Sequence, residues 1–256
     1  MTLLQASNIS KSFGGLKAVQ NFALELPARG LYGLIGPNGA GKTTVFNLLT
    51  GVYKPDEGSV KLGGRELTRL RPYQIATEGL ARTFQNIRLF GELTVIDNLR
   101  VACHLRCPHG MPAAVLRLSS HRAQETALTE RCTRLLELFN LADRAEEQAR
   151  NLPYGDQRRL EIARAIATGP KVLLLDEPAA GMNPQEKKEL RTLIRSVRDR
   201  FELAVLLIEH DMGVVMDLCE RITVLDYGKI IAHGPPEQVQ KDPKVIEAYL
   251  GAPAAA

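Results

Sequence analysis

The sequence predicts an α/β fold in which short buried strands alternate with helices and a phosphate-binding loop joins one strand to the helix after it. Two observations carry that prediction. Gly36 to Thr44 reads Gly-Pro-Asn-Gly-Ala-Gly-Lys-Thr-Thr, which sets Gly36, Gly41, Lys42 and Thr43 at the fixed places of the pattern G-x-x-x-x-G-K-S/T. Leu31 to Ile35, Lys171 to Leu175 and Leu203 to Ile208 read as buried strands, the last without the polar alternation that a half-exposed strand would show.

The spacing of the loop has a physical reason. Gly36, Pro37, Asn38, Gly39, Ala40, Gly41, Lys42, Thr43 and Thr44 must fold so that successive N–H groups point into one concavity, a nest for an anion. Glycines permit that backbone and let phosphates approach closely. Lys42 can reach the β- and γ-phosphates of a nucleotide, and the Thr43 hydroxyl can hold Mg²⁺. Thr44 to Leu49 reads as a helix, whose N-terminus adds partial positive charge at the same place.

The remaining elements follow in order. Residues 3–30 alternate apolar and polar and read as strands joined at Gly14-Gly15. Lys54 to Gly58 is a turn, Ser59 to Leu62 a strand, and residues 79–90 lead through Arg82-Thr83-Phe84-Gln85 into a loop. From Thr94 to Ala149 the chain reads as helical, with Leu135, Leu136, Leu138 and Phe139 on a buried face and a basic, polar interruption at Cys107 to Met111. A helix is expected over Asp156 to Thr168, capped by Asp156. Asn183-Pro184-Gln185-Glu186 has the residues of a capping box, and Asp226-Tyr227-Gly228 turns a hairpin between Ile222–Leu225 and Lys229–Ala232. The final Ala-Pro-Ala-Ala-Ala is expected to be loose.

Composition sets bounds. The 256 residues are 45% apolar and 24% charged, with a net charge of +4, which is ordinary for a globular chain. No dense Lys/Arg block points to nucleic acid, and no apolar run approaches a membrane span. Met1 to Gln5 lacks the character of a signal peptide, so a cytoplasmic location is expected. Cys103, Cys107, Cys132 and Cys219 read as free thiols. Cys103 to His109 gathers two Cys and two His, but the spacing matches no common zinc site and reads as an exposed insertion.

Val172 to Leu175 is followed by Asp176 and Glu177. Two carboxylates at the carboxyl end of a buried strand, beside a phosphate loop, divide the work. Asp176 can hold Mg²⁺ through water, and Glu177 can orient or deprotonate an attacking water.

Together these pieces resemble the ATP-binding-cassette (ABC) ATPases, from about Leu3 to Gly251. The resemblance implies a P-loop NTPase (RecA-like) core with an antiparallel β-subdomain and an α-helical subdomain. One domain, 1–256, would divide into core and β-subdomain at 1–91 and 160–235, a helical subdomain at 92–159 and a tail at 236–256. ATP and Mg²⁺ are the implied cofactors. Phe13 occupies the place of the aromatic residue that stacks on adenine, the alternative being a core Phe. Gln85 occupies the place of the glutamine that reaches Mg²⁺, and His210 that of the histidine on the γ-phosphate. Leu152-Pro153-Tyr154-Gly155-Asp156-Gln157 matches the frame of the signature L-S-G-G-Q, which serves the ATP of the other subunit, so Leu152, Gly155 and Asp156 are implied contacts. Pro153 has neither the hydroxyl nor the N–H that a serine would offer. Asn183 stands where the family has an Asp that the resemblance places between subunits, and helix capping also explains it.

Ala81 to Phe90, Gln157 to Ala165, Leu207 to Met212 and Val245 to Gly251 look like the ATPase subunits of bacterial branched-chain amino-acid importers. That resemblance implies two transmembrane permease subunits and a second ATPase subunit as partners, a periplasmic binding protein indirectly, and no nucleic acid. It implies a peripheral position on the cytoplasmic face of the inner membrane. A lipopolysaccharide-export ATPase shares much of the pattern, and a nucleotide-gated assembly module with little turnover is the other alternative. A small-molecule kinase would lack the Leu152 frame and the Glu177–His210 pair.

Overall fold

The computed structural model describes residues 2–106 and 119–250. They form two compact units, Met1–Gln85 with Lys171–Ala256, and Asn86–Pro170. The second is wider than the expected 92–159 at both ends.

The first unit opens with a hairpin, β1 (Thr2–Phe13) and β2 (Leu16–Pro27), paired antiparallel. Its alternation buries Leu4, Ala6, Phe22, Leu24 and Leu26 on one face. Strand β3 (Leu31–Ile35) runs through the phosphate loop into helix α1 (Lys42–Leu49). Strands β4 (Glu57–Leu62) and β5 (Arg65–Glu66) complete a four-stranded antiparallel sheet in the order β2-β1-β4-β5. Helix α2 (Pro72–Glu78) lies in a stretch whose residues show no helical periodicity. Pro72 supplies its fixed φ at the first turn, and Gln74 Oε1 accepts the Arg71 N–H. Strand β6 (Leu80–Arg82) closes this stretch.

In the second unit, α3 (Val95–Cys103) starts at Thr94, whose hydroxyl accepts the Asp97 N–H at 3.2 Å. Then come α4 (Ser119–Leu138) and α5 (Tyr154–Ala167). Leu135, Leu136 and Phe139 are buried as expected, and Leu138 is half-buried. The Cys103 and Cys132 thiols lie 3.8 Å apart in the interior. The interruption Cys107 to Met111, and with it Cys107 and His109 of the possible zinc set, lies outside the described residues, as does the Ala-Pro-Ala-Ala-Ala tail. The helix expected from Asp156 starts two residues earlier, and Asp156 is not its cap. Pro153 precedes the first turn, and Asp156 sits within that turn, where its charge complements the helix dipole and meets Arg144 and Arg159 at 3.7 and 3.4 Å.

Returning to the first unit, β7 (Val172–Asp176), α6 (Pro184–Phe201), β8 (Ala204–Ile208), α7 (Met212–Leu218), β9 (Arg221–Asp226), β10 (Lys229–Gly234), α8 (Pro236–Gln240) and α9 (Pro243–Leu250) follow. The large sheet has the order β10-β9-β3-β8-β7-β6, all parallel except the edge hairpin strand β10. One core serves both sheets. Phe46 and Leu49 of α1 pack with Leu34, Leu174, Leu206 and Ile208 of the parallel sheet and with Leu4, Ile9 and Phe22 of the antiparallel one. The parallel register brings the carboxyl ends of β3, β6, β7 and β8 to one edge, with Asp176 opposite Ile208 and Arg82 opposite Leu174.

The Asn183 capping box is present. Asn183 Oδ1 accepts the Glu186 N–H at 2.9 Å and Glu186 Oε2 accepts the Asn183 N–H at 2.8 Å. Asn183→Ala should therefore cost about 1 kcal/mol and lower the melting temperature by roughly 2–4 °C. An unchanged thermal melt would mean that the cap does not hold α6.

Candidate functional site

The phosphate loop is built by close backbone approach. Gly36 has φ +150°, and a Cβ there would sit 2.0 Å from the Leu225 carbonyl oxygen. Gly41 has φ +103°, and its Cβ would meet the Ala18 carbonyl oxygen at 2.5 Å. Any side chain would push these strands away from the loop. The tip of the β9–β10 hairpin pins the same loop. The Gly228 N–H donates to the Ala40 oxygen at 2.9 Å, and the Gln20 N–H donates to the Gly228 oxygen at 2.8 Å.

The Lys42 ammonium donates to the Gly36 and Pro37 carbonyls at 2.7 and 2.9 Å. Burial lowers its pKa, opposed by the negative charge of Glu177 and Asp176. A cleft of about 720 Å³ opens over the loop. Asn38, Gly39, Ala40, Gly41, Lys42, Thr43 and Thr44 form its floor, and Phe13, Gln85, Glu177 and His210 stand around it.

Glu177 is the meeting point of that wall. It follows β7 at φ +48°, and its N–H donates to the Ile208 carbonyl at 2.9 Å. One carboxylate oxygen accepts from Gln85 Nε2 at 3.0 Å, and the other lies 2.6 Å from His210 Nε2. A carboxylate only accepts, so the paired imidazole carries a proton on Nε2. Phe13 is 42% exposed at the end of β1, so it is no core residue. Its ring packs against Tyr53 in a T-shaped contact, with centroids 5.1 Å apart, the Lys11 ammonium lies 5.7 Å from its centroid, and the residue lines the cleft.

Asp176 sits beneath the cleft rather than in its wall. It is 2% exposed and accepts from Arg82 Nη2 at 2.7 Å. The same guanidinium donates to Asn47 Oδ1 at 2.6 Å and lies between the rings of Phe46 and Phe84. The expected oxygen donors thus occupy two levels, Thr43 and Gln85 at the surface and Asp176 below. Leu152, Gly155 and Asp156 belong to the second unit, at the start of α5. There the Leu152 side chain is buried and Asp156 is paired with arginines.

Lys17, Gln20 and Tyr227 also line the cleft, and no motif in the sequence marks them. Lys17 and Gln20 lie within the alternating stretch 3–30, and Tyr227 within the hairpin turn Asp226-Tyr227-Gly228. The pairing of β9 beside β3 that brings the tip to the loop is long-range and has no local signal. Glu209 is likewise unmarked in the sequence. Its carboxylate is buried and accepts the N–H of Ala179 at 2.7 Å and of His210 at 3.1 Å. Desolvation pushes its pKa up from 4.5 against those hydrogen bonds, and the Glu177 charge adds to the rise.

A family model described as ABC transporter matches residues 19–180. The chain belongs to the ABC transporter family. A second model, described as branched-chain amino acid ATP-binding cassette transporter, matches residues 229–255 of this ABC protein. It is 50% identical over 249 residues to the high-affinity branched-chain amino acid transport ATP-binding protein LivG of Salmonella typhimurium, covering 97% of this chain and 98% of LivG. It is 45% identical over 249 residues to BraF of Pseudomonas aeruginosa, a protein of the same description, with the same coverage. The crystal structure of a nucleotide-free ATP-binding cassette from an ABC transporter superposes with a TM-score of 0.85 at 31% identity, covering 98% of this chain and all of that one. The fold is that of a P-loop NTPase, and the protein is an ATPase of the kind that drives ABC transport.

The raised pKa of Glu209 has a signed consequence. Its folded value lies above its unfolded one, so its contribution to stability is complete below about pH 4.5 and is lost as pH rises through the raised value. Glu177, His210, Asp211 and Lys187 face this region and are unchanged by a substitution at Glu209. Stability should therefore fall less steeply with rising pH in Glu209→Gln than in the wild type. Parallel pH curves from thermal melts would exclude a raised carboxyl at this position.

Proposed function

We propose that this ABC ATPase is the subunit that binds and hydrolyses ATP to power an importer of branched-chain amino acids. One observation carries the catalytic part. The Glu177 carboxylate is held between Gln85 and His210 in the wall of a cleft whose floor is the phosphate loop. The substrate class is supported by the likeness to LivG and BraF and by the match over residues 229–255. Those supports favour import over the lipopolysaccharide-export alternative.

In this reading the backbone of Asn38–Thr44 and the Lys42 ammonium hold the phosphates, and Phe13 stacks on the adenine. Thr43 and Gln85 would offer oxygen donors to Mg²⁺ at the cleft surface, and Asp176, paired with Arg82 below them, would act on it through water. The donor set is of hard oxygens, which suits that ion. Among the described residues no cluster of three or more His, Cys, Asp or Glu could hold a metal. When bound, Mg²⁺ neutralises phosphate charge. Glu177 orients an attacking water and takes its proton, and His210 fixes that carboxylate while facing the γ-phosphate.

Leu152, Gly155 and Asp156 serve the ATP of a second ATPase subunit. Arg144 and Arg159 offset the charge that Asp156 would bring to a phosphate. Two permease subunits anchor the pair at the cytoplasmic face of the inner membrane, and a periplasmic binding protein delivers substrate to them. Among the described residues no helix is long and apolar enough to cross a membrane.

Two substitutions test the site. Phe13→Ala should weaken nucleotide binding by about 1–3 kcal/mol while Phe13→Tyr is nearly silent, read by equilibrium titration. Equal affinity in Phe13→Ala would remove the ring from the base site. Glu177→Gln should lower turnover by roughly two orders of magnitude or more and leave an ATP-bound dimer that survives gel filtration. Near-normal turnover with intact Mg²⁺-ATP binding would transfer the role of base to His210.

A further inference from the structure

Glu209 stands at the carboxyl end of β8, immediately before His210. Its residue is 3% exposed. Among the described residues its carboxylate is met by backbone N–H groups and by no cationic side chain. Oε1 accepts the N–H of Ala179, itself buried, at 2.7 Å. Oε2 accepts the N–H of His210 at 3.1 Å, with the N–H of Asp211 at 3.5 Å. One oxygen therefore serves the loop that follows Glu177, and the other serves the loop that presents His210.

A buried carboxylate without a cation is a costly way to satisfy two amides, and the nearby Glu177 charge raises the cost. What it provides is geometry. A carboxylate accepts on both oxygens, whereas Gln accepts on one and turns donors toward the other loop. The two loops have further links: the Glu177 N–H on the Ile208 oxygen at 2.9 Å, Glu177 on His210 at 2.6 Å, and Lys187 on Asp211 at 2.6 Å. Of the side-chain links, Glu209 is the buried one.

We propose that Glu209 is a positioning residue of the hydrolytic step: its two carboxylate oxygens clamp the loop after Glu177 to the loop of His210 and so set the spacing of those two side chains. The proposal rests on reading Glu177 and His210 as the hydrolytic pair. Glu209 touches neither nucleotide nor water in this account and acts through the two loops.

The test is steady-state Mg²⁺-ATP turnover by the full chain, with ADP affinity measured separately, for Glu209→Gln, His210→Ala and the double variant. Glu209→Gln should lower kcat by about tenfold or more, since small misplacements of reacting groups are costly, and leave KM and ADP affinity within about twofold. Added to His210→Ala, it should lower kcat by less than about twofold further, because the spacing it sets no longer matters. A wild-type kcat in Glu209→Gln, or a full independent loss in the double variant, overturns the proposal. If Glu209→Gln does not fold, Glu209→Asp, whose shorter stem draws the carboxylate back from the Ala179 and His210 amides, carries the same comparison with the same outcomes. A normal kcat in His210→Ala overturns the underlying pair, and the proposal with it. An impaired His210→Ala beside a normal Glu209→Gln overturns the proposal alone.

Discussion

Parallel pairing of β3, β8, β7 and β6 is the constraint on which the site depends. In a parallel sheet every strand ends at the same edge, so residues far apart in sequence arrive together. Here that edge receives the phosphate loop after β3, Gln85 after β6, Glu177 after β7 and His210 after β8. The buried apolar character of these strands is what makes the arrangement stable. Val172 to Leu175 and Ala204 to Ile208 are all at most 1% exposed. A one-residue slip between β7 and β8 would move Asp176 away from Ile208 and separate Glu177 from His210.

Charges at this edge are arranged in two layers. Below, Arg82 pairs with Asp176 between two aromatic rings, a buried ion pair whose breakage would cost about 3–5 kcal/mol. Arg82 also reaches Asn47 on α1, so the helix behind the phosphate loop and the strand carrying Asp176 and Glu177 are held by one guanidinium. Above, Lys42 is partly desolvated and balanced by the two acidic residues. Among the described residues the Glu177 carboxylate is hydrogen-bonded to Gln85 and His210.

Much of this was legible in the residues. The phosphate loop carries its own spacing, the buried strands their unbroken apolar runs, and the start of α6 its reciprocal capping box. What stayed hidden is long-range or ambiguous. Helix α2 is seven residues long, with only Ile75 buried, too little for a periodic signal. Asp156 looked like a cap because Asp is common there, but Pro153 already sets the entry to α5 and leaves Asp156 inside the first turn. Tyr227, Lys17 and Glu209 owe their places to strand pairings that no local pattern announces. The long-range partner of Glu209 is the Ala179 N–H, thirty residues away in the chain, and nothing in the side chain of an alanine hints at it.

The central claim is that hydrolysis in this cleft drives inward movement of branched-chain amino acids. It is tested most directly by ATP-dependent leucine accumulation in sealed vesicles that hold the permease subunits with this chain, the binding protein being supplied on the side opposite the ATP. The account predicts accumulation that requires the wild-type chain and ceases with Glu177→Gln. Vesicles that hydrolyse ATP but accumulate no branched-chain amino acid, or that accumulate it equally with Glu177→Gln, would contradict it.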